Sequence, residues 1–186
     1  MISKFNSLIG ALVVAWSVLI LPQSCPAAGE SLYDVRIPLV DQEGVAFELG
    51  DMRGQDVIIA MAYTSCESAC PITMQRLKKL ETQLKKQNKK VQFLIVTLDP
   101  EHDTPKKLQG YLRSYKLTKD RWRLATGKRE DIRKLSLLLG ISYGKSNSSD
   151  EIMHSNKIVL LDREGVVKAE VEGLAVETDS LADAAS

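Results

Sequence analysis

Residues 57–63 form an unbroken apolar run, Val57-Ile58-Ile59-Ala60-Met61-Ala62-Tyr63, and the chain then passes directly into Thr64-Ser65-Cys66-Glu67-Ser68-Ala69-Cys70-Pro71. A run of this length has no alternation and is rich in β-branched residues. It predicts a strand buried on both faces, the kind found in parallel sheets covered by helices. Pro71 follows as an early helical residue, and Met74, Leu77, Leu80 or Glu81, and Leu84 keep a helical period to about Lys86. The strand therefore delivers two cysteines to the start of a helix. If both lay on one helical turn, their i, i+4 spacing would hold them roughly 5–6 Å apart, within disulfide reach.

The alternation continues. Residues 91–98 read as a second buried strand, and Thr104-Pro105 as N-cap and first position of a helix with Leu108, Tyr111 and Leu112 inward. Residues 122–126 form a short strand, and 129–139 a helix with Ile132, Leu135, Leu138 and Leu139 inward and Gly140 as its stop. Before these elements, residues 33–49 read as a strand pair around Asp41-Gln42-Glu43-Gly44, with Ile37, Leu39, Val45 and Phe47 apolar. After them, a polar loop (142–150) leads to strands 157–162 and 166–172, joined by the turn Asp162-Arg163-Glu164-Gly165. Strands alternating with helices, opened by a strand pair and closed by a hairpin, predict an α/β fold, a mixed sheet flanked by helices of the thioredoxin-like kind.

Residues 1–28 read as a signal peptide or N-terminal membrane anchor. Lys4 supplies a positive start, Leu8 to Leu21 an apolar core, and Cys25-Pro26-Ala27-Ala28 a small-residue cleavage region. The core is short for a spanning helix. Leu21 stands four residues before Cys25, which makes a poor lipidation signal, so cleavage ranks ahead of anchoring and anchoring ahead of lipidation. Each outcome places the body in the periplasm or on the outer face of the cytoplasmic membrane. Residues 29–174 are expected to form one domain and 175–186 a mobile tail. With 25 basic against 24 acidic residues, nothing in the charge balance calls for a nucleic-acid partner.

Once residues 1–28 are set aside, Cys66 and Cys70 are the remaining cysteines. One pair is too few to staple a domain of this size, so it reads as a site. At a helix start the dipole favours thiolate, which is both nucleophile and metal ligand. His154, in Met153-His154-Ser155, adds an imidazole. Two chemistries stay open from these residues: a soft metal site, or dithiol–disulfide exchange.

Three segments carry a resemblance. Residues 63–71, then Thr97-Leu98-Asp99-Pro100-Glu101-His102-Asp103-Thr104-Pro105, then His154-Ser155, 84 residues beyond Cys70, are similar in kind and order to the signature blocks of the Sco (SenC/PrrC) family. The likeness runs from about residue 33 to 173. It implies a thioredoxin-like fold and a copper metallochaperone for the binuclear copper centre of cytochrome c oxidase. It also implies Cys66, Cys70 and His154 as the copper ligands. The implied partners are the copper-receiving oxidase subunit, or another copper donor or acceptor, and a thiol reductant. Thiolates suit Cu(I), and an imidazole extends a site to Cu(II). The enzyme alternative is a thiol–disulfide reductase that keeps a partner's copper-ligating cysteines reduced. A peroxidase has less support, and a metal-free module built on the basic helix leaves the cysteines unexplained.

The chain departs from the family pattern at Glu67-Ser68-Ala69, at His102 in place of an arginine, and at Met153 in place of an acidic residue. Asp103 reads as a helix-capping residue and Asp99 as a neighbour of the cysteines. His102 reads as exposed and Met153 as core packing. Arg76, Lys78, Lys79, Lys85, Lys86, Lys89 and Lys90 read as a solvated basic face.

Overall fold

The computed structural model describes residues 29–145, 151–175 and 177–186. The expected signal or anchor segment lies outside the described residues. A seven-stranded mixed sheet forms the centre, built in chain order from β1 (Pro38–Asp41), β2 (Ala46–Glu48), β3 (Asp56–Ala62), β4 (Val91–Thr97), β5 (Trp122–Thr126), β8 (Lys157–Leu161) and β9 (Val167–Glu172). A separate two-stranded hairpin is made of β6 (Tyr143–Lys145) and β7 (Ile152–His154). Helices α1 (Ala69–Lys86), α2 (Pro105–Ser114), α3 (Arg129–Leu138) and α4 (Asp179–Ala184) complete the fold.

The strand order is β2-β1-β5-β4-β3-β8-β9. The central strands β3, β4 and β5 are parallel, and the flanking pairs β1–β5 and β3–β8 are antiparallel. All seven residues of β3 are buried, as its unbroken apolar run requires. Trp122 stacks on Phe93 across β4 and β5, with ring centroids 4.4 Å apart. The turn between β8 and β9 needs Gly165, which has φ +85°, and a Cβ there would run into the Tyr33 ring.

Several expectations change. Ile37, Leu39 and Phe47 are buried, but Val45 is exposed in the β1–β2 turn region, and Leu138 is exposed on α3 while Leu139 is buried. The expected loop 142–150 instead contains β6, which pairs antiparallel with β7 just beyond it. Three-residue strands are too short to leave a periodic signal. The segment beyond Ala175, expected as a mobile tail, contains α4, which contacts α1 and β9 with Leu181 and Ala182 buried. Its Ala- and Asp-rich composition conceals one leucine that the domain needs to cover.

Candidate metal centre

The carboxyl ends of β3 and β4 are tied together beneath the cysteine loop by one buried carboxylate. Asp103, only 1 % exposed, accepts hydrogen bonds from the Thr64 N–H and hydroxyl and from the Thr97 hydroxyl. It is therefore not the cap of α2, a role taken by Thr104, whose hydroxyl accepts from the Lys107 N–H. Thr64 follows β3 and Thr97 ends β4, so Asp103 fixes where the loop departs from the sheet. The Cys66 N–H then donates to the Tyr63 carbonyl at 3.2 Å and turns the chain.

The two cysteines do not share a helical turn. Cys70 is the second residue of α1, whereas Cys66 lies in the loop before it. They meet because the helix N-terminus lacks a side-chain cap from Ser68, and the Cys70 N–H donates instead to Cys66 Sγ at 3.3 Å. The sulfur thus takes the place of a capping oxygen. Pro71, next in line, has no N–H to satisfy.

His154 ends β7 and is paired in register with Tyr143. Its Nδ1 lies 3.0 Å from the Ser155 carbonyl. A carbonyl only accepts, so Nδ1 carries the proton and the Nε2 lone pair is left to face Cys70 Sγ, 3.9 Å away. Tyr63 joins the hairpin to the cysteine strand. Its ring meets His154 edge-on at 6.3 Å, and its hydroxyl accepts the Ile152 N–H at 3.3 Å. In the sequence Tyr63 reads as the end of a strand and the start of the first signature block, without a role at the site. A tyrosine closing an otherwise aliphatic buried run is the signal for a polar tip at a site.

The donor atoms of Cys66, Cys70 and His154 all lie within 4.8 Å of one another. A first-row metal with bonds of about 2.3 Å to sulfur and about 2.0 Å to nitrogen, held in a trigonal plane, would separate donors by about 3.7–4.0 Å. The residues therefore fit one ion with sub-ångström adjustment. Cys70 is fully buried, Cys66 is 8 % exposed and His154 is half-buried, so the site opens on the side of Cys66 and His154 and is closed behind Cys70.

The thiols differ in acidity. Burial pushes Cys66 up, but hydrogen bonds from the Cys70 thiol, the backbone N–H groups of Cys70 and Ser68, and the Tyr63 hydroxyl outweigh it and leave Cys66 below its ordinary value. Burial and the Cys66 sulfur together raise Cys70 well above the usual thiol range. Burial is also the leading reason that Tyr63 is pushed up to about 12. Cys66 is therefore the more acidic of the two thiols and the readier of them to ionise.

Other candidates fall away from the centre. Asp99 binds the exposed His102 at 2.9 Å instead of approaching the thiols. Met153 is 63 % exposed, so it is not core packing. The basic face of α1 and the turn after it is not simply solvated: Lys78 donates to the Tyr115 carbonyl, Lys89 to the Ala182 carbonyl and Arg76 to the Gly173 carbonyl, while Lys79 pairs with Glu177. Those lysines and Arg76 dock neighbouring segments, α4 among them.

The model of the SCO1/SenC family matches residues 27–185. A Stutzerimonas stutzeri protein provisionally named as copper-binding is 26% identical over 140 residues, covering 73% of this chain and 67% of its own. The structure of a SCO1/SenC family lipoprotein from Bacillus anthracis is 25% identical, with a TM-score of 0.73 over 81% of this chain and 91% of that one. BsSco, a protein in which a disulfide switch is identified and which is described as a member of the Sco family of cytochrome c oxidase assembly proteins, superimposes with a TM-score of 0.72 at 24% identity, covering 86% of this chain and 93% of that one. With the family model spanning nearly all of the described fold and its thioredoxin-like architecture shared by these structures, the chain belongs to the SCO1/SenC family.

Proposed function

We propose that this protein is an exported copper carrier that supplies copper to the binuclear centre of cytochrome c oxidase, holding the ion on Cys66, Cys70 and His154. The observation that carries the reading is the convergence of two sulfurs and one imidazole nitrogen within 4.8 Å from three separate elements. Two thiolates select soft Cu(I), and the imidazole extends the site to Cu(II). A structural zinc site would ordinarily have four protein ligands. The provisional copper-binding name of the Stutzerimonas relative and the oxidase-assembly role stated for BsSco's family support the same direction. The apolar N-terminal run and the lipoprotein relative support export.

Loading Cu(I) displaces the protons that the two thiols hold, and release takes them back. Cys70 is fixed in α1, whereas His154 sits on a two-stranded hairpin outside the main sheet. The imidazole is thus the donor that yields first when a recipient's thiolates engage the ion. Titration of the reduced protein with Cu(I) and Cu(II) tests this. One copper per chain is expected, with binding lost in a Cys66→Ser, Cys70→Ser variant. Unchanged stoichiometry in that variant overturns the reading.

The runner-up is a thiol–disulfide reductase, favoured by the asymmetry between the near-surface Cys66 and the buried Cys70. Cys66 thiolate would attack a partner disulfide, form a mixed disulfide and release one partner thiolate. Cys70, losing its proton, would then attack Cys66 Sγ and release the second, leaving a Cys66–Cys70 disulfide. His154→Ala separates the two: it damages copper holding and spares dithiol exchange.

A further inference from the structure

The β6–β7 hairpin that carries His154 is also one wall of an open cleft of about 450 Å³, which the copper site itself does not use. Its apolar lining comes from Leu98, Leu137, Ile141, Tyr143 and Ile152. Leu137 is 71 % exposed, the largest apolar exposure among the described residues, although its neighbours on α3, Ile132 and Leu135, are fully buried. A helix that hides its inner leucines and presents one outward at a cleft leaves an apolar contact unpartnered.

Charge selects the occupant. Arg129 at the rim is already neutralised by Glu101, and Asp99 is held by His102. Arg133 and Lys145, which also line the cleft, make no ion pair among the described residues. The cleft thus offers an apolar floor whose charged lining, Arg129, Arg133 and Lys145 against Asp99 and Glu101, carries an excess of positive charge, with Arg133 and Lys145 outside the ion pairs. No convergent set of buried polar groups lines it, as a small-metabolite site would require. An apolar floor with charged margins suits an extended protein segment, with apolar side chains as anchors and carboxylates at the rim.

Position gives the cleft its purpose. Tyr143, in its wall, is paired in register with His154, and the Ile152 N–H is bound by Tyr63, whose ring touches His154. A segment seated there lies one strand pair away from a copper ligand. We propose that this cleft is the docking surface for the copper-exchange partner, and that it receives a segment of that partner carrying apolar residues flanked by Asp or Glu. The proposal rests on the copper-carrier reading and adds the partner's recognition chemistry to it.

The test uses the full-length protein in detergent micelles, and as probe the purified, metal-free copper-receiving domain of the host's cytochrome c oxidase. Affinity and copper transfer are measured at low and at high salt for the wild type, for Leu137→Ser and for the double variant Arg133→Glu, Lys145→Glu. All three substitutions lie at exposed or rim positions outside the metal ligands, and copper loading is measured separately on each protein. Loading should be unchanged. The charge reversal should slow association at least tenfold at low salt, with the difference shrinking as salt rises, and Leu137→Ser should weaken binding several-fold at all salt concentrations. Transfer should slow in parallel. Loading intact with no probe binding, or with binding indifferent to all three substitutions, overturns the docking surface while leaving the copper-carrier reading standing. Loss of loading in the wild type overturns the carrier reading itself. A concentration-dependent dimer abolished by the same substitutions would assign the cleft to a second copy of the chain and also overturn the proposal.

Discussion

Replacing Asp103 with alanine removes the acceptor for three donors at once: the Thr64 N–H, the Thr64 hydroxyl and the Thr97 hydroxyl. At 1 % exposure, water does not reach the position in the native fold to replace it. A buried donor left unsatisfied costs about 1–3 kcal/mol. The two hydroxyls can rotate toward other acceptors, but the Thr64 N–H is fixed by the backbone, so the total is about 3 kcal/mol. For a domain of this size that corresponds to a fall in Tm of roughly 6–12 °C. Asp103→Asn is the control. Its carbonyl oxygen can still accept the Thr64 N–H, and its amide can donate to a Thr64 hydroxyl turned to accept, so the cost is expected at about 1 kcal/mol. Urea unfolding of the two reduced, metal-free variants measures both, with the slope unchanged if only the native state is affected. Because Thr64 stands two residues before Cys66, Asp103→Ala should also weaken copper retention, while Asp103→Asn preserves most of it. A loss below about 1 kcal/mol for Asp103→Ala, or equal losses for the two variants, would refute the clamp between β3 and β4 as the device that places the cysteine loop.

Further outcomes follow from the same geometry. His154→Ala should weaken Cu(II) more than Cu(I), because two thiolates alone can hold Cu(I); competition titrations with chelators of known affinity measure each, and equal losses would contradict the assigned roles. Oxidation by an added small-molecule disulfide should close the Cys66–Cys70 bond, with two electrons and two protons passing to the oxidant, a mass loss of about two daltons since each thiol carries one hydrogen, and abolish copper uptake until a thiol reductant restores it; equal affinity before and after reduction would show that the thiols are not the site. In the reduced, metal-free protein, Cys66 should be alkylated well before the fully buried Cys70, and Cu(I) should protect both, as peptide mapping after brief iodoacetamide treatment would reveal. Leu181→Ala, at a fully buried position of α4, should cost about 2–5 kcal/mol; a negligible change in urea unfolding would return the C-terminal segment to the status of a loose tail.

The central elements of the fold were legible in the chain because local chemistry decides them. The apolar run of β3 cannot be exposed, Thr104-Pro105 can scarcely do anything but start a helix, and Gly140 and Gly165 occupy backbone conformations that other residues adopt at a cost. Residue type, order and family resemblance singled out Cys66, Cys70 and His154 as candidates, and the fold brings their donor atoms within 4.8 Å of one another. What the chain could not show is how those parts meet. The cysteines are joined by a loop sulfur that caps the helix, not by a shared helical turn, because Ser68 contributes no side-chain cap. Asp103 lies next to a helix start and so looks like a cap, yet its three donors come from the ends of two strands up to 39 residues away. The hairpin that carries His154 consists of three-residue strands, too short for any periodicity, and Tyr63 is what brings it to the thiols. The tail's one buried leucine, and Lys78 on α1 and Lys89 just after it, which bind backbone carbonyls, tell the same story. Periodicity and capping are properties of neighbours in sequence; the carboxylate clamp, the imidazole's approach and the cleft beside it arise from groups that become neighbours only when the sheet is assembled.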